Sequence, residues 1–288
     1  MTARRAASAL VGAAAVALSI AQPAHAISVN DPAAAAAGGI GNYCDSAYQF
    51  SNVVSLWGKV VNSYSSFCTG TLINDRTILT AAHCGDLVRL TDRPSISFAA
   101  IAGPSDPLFN ASSSFFLNPG FSGVQNDIAL ISLATPVTSV APVTLTTASA
   151  PIPTPGTTLT MAGYGYPGTG TTFCGDADSK RRIATTSLGA YQLLGAGSQP
   201  FYMAQFRNPA SPNNPNAFGL TVPVPTLSGT TNRGDSGGPL FVQTGQGLVQ
   251  IGLVQGGPGP PCLYGDIATW TPVNLFLGWI AQNIPCGR

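Results

Sequence analysis

The chain reads as an all-β protein, with two antiparallel β-barrels in tandem followed by one short C-terminal α-helix. Three features lead there. Short runs rich in Val, Ile, Thr and Phe recur with turn residues between them. Glycine (33) and proline (24) are abundant while charged residues make up only 8% of the chain, the composition of a loop-rich β protein with a nearly neutral surface. The helical crossovers that a parallel sheet requires are missing, which leaves antiparallel barrels.

Taken in order, residues 1–26 read as a signal peptide. Arg4 and Arg5 give the positive start, Ala9 to Ile20 the apolar stretch, and Ala24-His25-Ala26 the small-x-small cleavage pattern. The apolar run is short and alanine-rich for a membrane anchor, so no membrane association is expected after cleavage. The Arg4-Arg5 pair lacks the surroundings of a twin-arginine signal, which favours general export. The mature chain would have 288 − 26 = 262 residues, secreted to the extracellular space or the periplasm.

Residues 27–41, mostly alanine, glycine and polar, are expected to be a mobile lead-in or a short pro-segment. An N-terminal barrel is expected over 42–147, with strands at 53–61, 67–73, 77–82, 95–102 and 127–133. Pro151, Pro153 and Pro155 mark a linker at 148–157. A C-terminal barrel should occupy 158–272, with strands at 158–164, 183–188, 201–206, 239–242, 248–254 and 267–271. A long surface loop is expected at 208–226. Helical spacing of Leu275, Phe276, Trp279 and Ile280 places a helix at 273–283, within a closing segment 273–288.

Composition removes several classes of function. With 12 Lys+Arg, 11 Asp+Glu and no basic stripe, nothing points to a nucleic-acid partner. Losing Arg4 and Arg5 leaves a net charge of 10 − 11 = −1. Every acid is aspartate, so a mechanism built on a catalytic glutamate is excluded. The six cysteines (44, 68, 84, 174, 262, 286) are an even set in an exported chain, which favours disulfides. Zinc is disfavoured because one histidine survives signal removal and no Cys-x-x-Cys occurs; no metal and no cofactor are expected.

That histidine, His83, lies in Thr80-Ala81-Ala82-His83-Cys84 at the end of an apolar strand. A hydroxyl is a poor nucleophile until a base takes its proton, and imidazole suits that task near neutral pH. Asn126-Asp127-Ile128-Ala129-Leu130-Ile131 puts a carboxylate at the mouth of another apolar strand, where a buried charge needs a partner such as an imidazole N–H. Ser236 lies in Gly234-Asp235-Ser236-Gly237-Gly238-Pro239. Gly234 lets the backbone turn so that its own N–H and that of Ser236 can point into one site, while Gly237 and Gly238 leave room for a substrate carbonyl. Read alone, the aspartate could cap a strand and the glycines could form an ordinary turn.

Together, Thr80–Cys84, Asn126–Leu130 and Gly234–Leu240 resemble the three signature motifs of the chymotrypsin/trypsin family of serine endopeptidases. Residues 67–73, 119–121 and 163–165 resemble flanking segments of that family, and the similarity runs with gaps from about Val53 to Ile280. The order His83, Asp127, Ser236 is that of chymotrypsin and differs from subtilisins and α/β-hydrolases. The resemblance implies two six-stranded-type β-barrels with the active site between them. It implies Ser236 as nucleophile, His83 as base, Asp127 as the acid orienting it, and an oxyanion hole from the Gly234 and Ser236 N–H groups. It also implies a protein or peptide substrate, an acyl-enzyme and a monomer. A protease-like binding protein without turnover is the alternative, although such proteins generally lack a triad residue and none is missing here.

Further correspondences follow from the resemblance. Cys68 and Cys84 match the disulfide that closes the histidine loop. Asn232 stands where relatives keep the cysteine that pairs with the counterpart of Cys262. The four other cysteines allow three pairings, of which Cys174–Cys262 with Cys44–Cys286 is favoured. Thr230 falls where trypsins place an aspartate, and Gly257 and Ala268 fall on the walls of the same substrate pocket. That pocket should be neutral and favour uncharged residues before the cut bond, unless the nearby Asp266 intrudes. Gln255 replaces the serine that supports the aspartate in relatives, and Gly256 replaces an aromatic beside it. Asp235 in relatives binds a newly cut N-terminus; Ile27 and Ile40 are the candidates, with Ile40 favoured. Asn110-Ala111-Ser112 is a glycosylation sequon, expected to lie in a loop.

Overall fold

In a computed structural model of the chain, residues 27–284 are described, apart from 37, 61–62, 86–91, 173–174, 176–177, 196 and 259–261. Residues 1–26, expected to be a signal peptide, and Cys174 and Cys286 therefore lie outside the described residues. The first strand, β1 (Ser28–Val29), is followed by a one-turn helix, α1 (Asp31–Ala35), and by a 3-10 turn at Gly39–Tyr43.

Six strands then close into a barrel: β2 (Val53–Val60), β3 (Ser63–Asn74), β4 (Thr77–Thr80), β5 (Asp92–Ser97), β6 (Asn110–Leu117) and β7 (Ala129–Leu133), in the order β2-β3-β4-β7-β6-β5. β4 and β7 read Thr-Ile-Leu-Thr and Ala-Leu-Ile-Ser-Leu and are buried along their whole length. Both faces of these strands are covered, which explains apolar runs in place of alternation.

The second unit holds β8 (Thr144–Leu145), β9 (Thr158–Gly163), β10 (Gly168–Thr169), β11 (Arg182–Ser187), β12 (Ala190–Leu193), β13 (Pro200–Gln205), β14 (Gly229–Thr230), β15 (Pro239–Thr244), β16 (Gly247–Gly256) and β17 (Ile267–Pro272). Its main sheet runs β11-β9-β15-β16-β17-β13-β12 with β8 added beside β16, and it curls into an open half-barrel. Register shifts at Leu240/Phe241 and at Val254/Gly256 bend β15 and β16, as bulges do in strongly curved sheets. The expected all-β, two-unit architecture is observed; the difference is that the second sheet is not closed among the described residues.

The closing helix, α2 (Leu277–Asn283), begins later than the spacing suggests, because Val273–Leu275 form a 3-10 turn behind Pro272. Its Ile280, with Phe276, packs into the core of the first barrel beside Leu72 and Leu130. A second core collects Leu159, Met161, Leu240, Ile251 and Trp270. Phe50, Val53, Trp57, Ala162, Tyr164 and Phe241 form a third cluster with members from both units.

The segment from Ile27 differs from the mobile lead-in expected of its composition. Ile27, Ser28, Val29 and Asn30 are buried, and β1 lies between β10 and β14, parallel to one and antiparallel to the other. The side chains of Ile27 and Val29 join the second core, and β1 pairs with both neighbours through its backbone. Asn110, the sequon residue, starts β6 and donates its amide to Thr135 O at 2.7 Å, so this amide is already engaged in the fold.

Candidate active site

The register of one strand pair builds the first half of the site. Thr80, the last residue of β4, is opposite Ala129, the first of β7. The turn that follows β4 and the turn that precedes β7 must then meet at the same edge of the barrel. His83 Nδ1 lies 2.7 Å from Asp127 Oδ2, and the His83 backbone N–H donates to Asp127 Oδ1 at 2.8 Å. Both carboxylate oxygens are thus engaged, with Asp127 wholly buried and the imidazole 28% exposed. The cysteines on either side of this turn hold it: Cys68 in β3 and Cys84 are joined as a disulfide. Both sulfurs beside His83 are therefore oxidised, so the Cys68-His83-Cys84 grouping lacks the thiolates that a metal would require.

The second half arrives from the other unit. Ser236 precedes β15, and its carbonyl accepts from the N–H of Thr69 in β3 at 2.9 Å. The Thr69 hydroxyl donates to Gly234 O at 2.8 Å and accepts from the Tyr164 N–H at 3.1 Å. One buried threonine thus ties the Ser236 turn and the end of β9 to the histidine barrel. The closeness leaves no room for a side chain at Gly237: a Cβ there would stand 2.1 Å from Thr80 Oγ1, and its φ of +79° is one that L side chains rarely adopt. Gly234 has φ +87°. Among the described residues, the N–H groups of Gly234 and Ser236 meet no protein acceptor.

Between them, Asp235 points away from the cleft and is buried. It accepts from Gly165 N–H at 2.8 Å, Asn232 N–H at 2.8 Å and Ile27 N at 3.0 Å. Burial pushes its carboxyl up to about 7 against the pull of these donors. Of the two N-terminal candidates it is Ile27 that reaches Asp235, which corrects the preference for Ile40; Ile40 lies in the 3-10 turn at Gly39–Tyr43 and packs on the second core.

Beside Ser236 opens a cavity of about 200 Å³ lined by Thr231, Asn232, Arg233, Ser236, Val254, Gly256, Gly257 and Asp266. Of the expected pocket residues, Gly257 is on its wall. Thr230 and Ala268 are not: both are buried, Thr230 donating its hydroxyl to Asp266 Oδ2 at 3.0 Å and Ala268 pairing with Ala204 inside the second core. The position expected to be the pocket floor thus stands behind an aspartate that does line the pocket. Gln255 turns to Thr269, whose hydroxyl donates to its Oε1 at 2.7 Å.

Asn232 Nδ2 lies 2.7 Å from Cys262 Sγ, so asparagine occupies the neighbourhood where a cysteine partner was absent from the sequence. Cys262 is disulfide-bonded. Cys44 is a free thiol, which corrects the expected Cys44–Cys286 pairing. Cys44 forms a backbone β-bridge with Arg182 of the second unit. Sequence reasoning missed the role of Thr69, and also that of Arg181, described below.

A closed barrel and a curled half-barrel with a His–Asp pair and a glycine-flanked serine at their junction define a two-barrel serine hydrolase. Comparison with known proteins agrees. The trypsin family model matches residues 46–280. Phenoloxidase-activating factor 3 of Holotrichia diomphalia is 31% identical over 262 residues, 78% of this chain and 66% of that protein. Serine protease 1 of Rattus norvegicus is 29% identical over 78% of this chain and 82% of its own length. Trypsin-1 of Salmo salar is 28% identical over 85% and 90%. The chain belongs to the trypsin family, whose class is the serine endopeptidases.

Proposed function

We propose that the protein is an exported, monomeric serine endopeptidase in which Ser236 is the nucleophile, His83 the general base and Asp127 the residue that orients and stabilises the imidazole. Substrate is a protein or peptide. Ser236 Oγ attacks the scissile carbonyl carbon while His83 Nε2 takes the hydroxyl proton, giving a tetrahedral oxyanion. The imidazolium then returns that proton to the leaving amine, the C–N bond breaks, and an acyl ester on Ser236 remains. Water, deprotonated by the same imidazole, hydrolyses the ester and restores the serine.

The observation that carries this reading is the buried Asp127 carboxylate 2.7 Å from His83 Nδ1. That contact holds the proton on Nδ1 and leaves Nε2 as the base. The Gly234 and Ser236 N–H groups, which meet no protein acceptor among the described residues, support the oxyanion hole, since donors fixed by the backbone need no rearrangement when a developing charge arrives. Val254, Gly256 and Gly257 in the neighbouring pocket support room for an uncharged side chain on the acyl side of the cut bond. Cleavage after Ala26 would turn the Ile27 nitrogen into an ammonium beside the Asp235 carboxylate, a charge-assisted pair that favours the ionised form.

Digestion of an unfolded protein such as reduced casein by the mature chain tests the reading. New peptides with the wild-type protein and none with Ser236→Ala are expected. Equal digestion by both would contradict the assignment. Binding of casein with no cleavage by either would favour the inactive binding protein.

A further inference from the structure

We propose that Gln199 is a positioning residue for the reaction: its side-chain amide reaches from the second unit to hold the backbone at Asn126, and so sets where the Asp127 carboxylate meets His83. The proposal rests on the serine endopeptidase reading and deepens it.

Among the described residues, the Asp127 carboxylate bonds to His83 alone, through the ring Nδ1 and the backbone N–H. Gln255, on the second unit, is engaged by the Thr269 hydroxyl instead. A carboxylate held by one partner residue keeps its place only if the chain that carries it is fixed. That chain is a turn. Asn126, immediately before Asp127, has φ +53°, a left-handed conformation that asparagine adopts where local bonds support it. Two such bonds stay inside the turn: Asn126 Nδ2 donates to Gly120 O at 2.8 Å, and Asn126 O accepts from Ile128 N–H at 2.8 Å. The third comes from the other unit. Asn126 N–H donates to Gln199 Oε1 at 2.9 Å, across 73 positions of sequence.

The contact is reciprocal, because Gln199 N–H donates to Gln125 Oε1 at 2.7 Å. Each glutamine thus offers its side-chain oxygen to a backbone N–H on the opposite segment, and the two form a clasp between the units. Gln199 immediately precedes β13, which is paired on one side with β12 and on the other with β17. The acceptor for Asn126 is therefore tied to the body of the second sheet. Gln199 Nε2, in contrast, is buried with no partner among the described residues. A buried donor left unpaired costs about 1–3 kcal/mol, and an apolar side chain would avoid that cost. What the amide supplies in exchange is its oxygen, on the residue next to Asp127.

Gln199→Leu tests this. It removes the acceptor and the orphaned donor together, so the unfolding temperature should change little. On a small ester substrate kcat should fall by about ten- to a hundredfold, the scale of a misplacement of up to about 1 Å, with KM unchanged. The low-field proton resonance of His83 Nδ1–H, which reports the short bond to Asp127, should move upfield. Gln199→Glu keeps an oxygen for Asn126 N–H and should recover both the resonance and most of kcat. Gln125→Ala opens the other half of the clasp and should lower kcat in the same direction. Combined with Gln199→Leu it should cost less than the product of the two single losses, as expected of one unit. Should Gln199→Leu fail to fold, Gln125→Ala decides by the same two readouts. A resonance that stays in place in the folded variant overturns the proposal whatever happens to kcat, as does a loss that Gln199→Glu leaves unrecovered. Where a fluorophosphonate labels Ser236 of the wild type, those results overturn the proposal alone. A wild type that neither cleaves nor takes the label removes the endopeptidase reading and this proposal with it.

Discussion

Asp127 is a wholly buried carboxylate that the fold tolerates because both oxygens are occupied, one by a backbone N–H and the other by imidazole Nδ1. The amide of an Asp127→Asn variant would present a donor where an acceptor is required, and the imidazole would lose its preferred tautomer. A fall in kcat of about ten-thousandfold is expected, with little change in KM, measured on a small ester substrate. Thr69 carries a different burden. Thr69→Val leaves Gly234 O and Tyr164 N–H without their buried partner, which should cost about 1–3 kcal/mol in urea unfolding. It should also lower kcat, because the Ser236 turn is held by the same residue. The three residues proposed as the triad were legible because each sits in a motif of distinctive local sequence. Thr69 was not, since its partners lie 165 and 95 positions away and nothing nearby in sequence marks it. Asp266 was legible only as a neighbour of the pocket; that it lines the wall depends on Thr230 bonding it from behind.

Among the elements, strands with continuous apolar or alternating patterns lay close to where the sequence put them, β4 and β7 in particular. β6 was missed because Asn-Ala-Ser-Ser-Ser at its start carries no apolar alternation, although alternate residues there are buried. β1 was missed for the opposite reason: two residues are too few for any period, and its alanine-rich sequel suggests a mobile tail. Its docking has a measurable consequence. Ile27 has φ +28°, strained for a β-branched residue, and its nitrogen is buried against a carboxyl raised to about 7. With a peptide bond at residue 26, that carboxyl favours folding below pH 3.8, and the contribution is lost as pH rises through 7. An ammonium at Ile27 reverses the sign. Edman sequencing of the active enzyme should therefore begin at Ile27, and a chain retaining residue 26 should unfold at a lower temperature at pH 8. Equal unfolding temperatures would contradict this. The histidine turn depends in turn on its disulfide, which joins cysteines 16 positions apart. Cys68→Ser/Cys84→Ser should lose about 3 kcal/mol by loop-closure entropy, measured in guanidinium.

At the scale of the molecule, the two units are joined by a buried cation. Arg181, next to the second unit's β11, is fully buried and reaches into the first barrel, with Nε 2.8 Å from Asp45 and Nη1 donating to Val53 O, Phe98 O and the Tyr164 hydroxyl. The alternative for so large a charge in such a place is unpaired burial, so Arg181→Met should cost about 3–5 kcal/mol in urea unfolding, since Asp45 is left alone. Stability of the whole molecule should also report Asp266. Its folded pKa of about 6 exceeds the usual aspartate value of 3.8, so its favourable contribution is complete below 3.8 and is lost as pH rises through 6. Asp266→Asn should therefore be more stable than the wild type at pH 8, by on the order of 2–3 kcal/mol, and equal to it at pH 3.5.

The most direct measurement is mass-spectrometric mapping of a fluorophosphonate adduct on the folded mature protein. A single adduct on Ser236, abolished in His83→Ala, is expected. A folded protein that takes no adduct, or takes it equally without the imidazole, would contradict the assignment of Ser236 and His83.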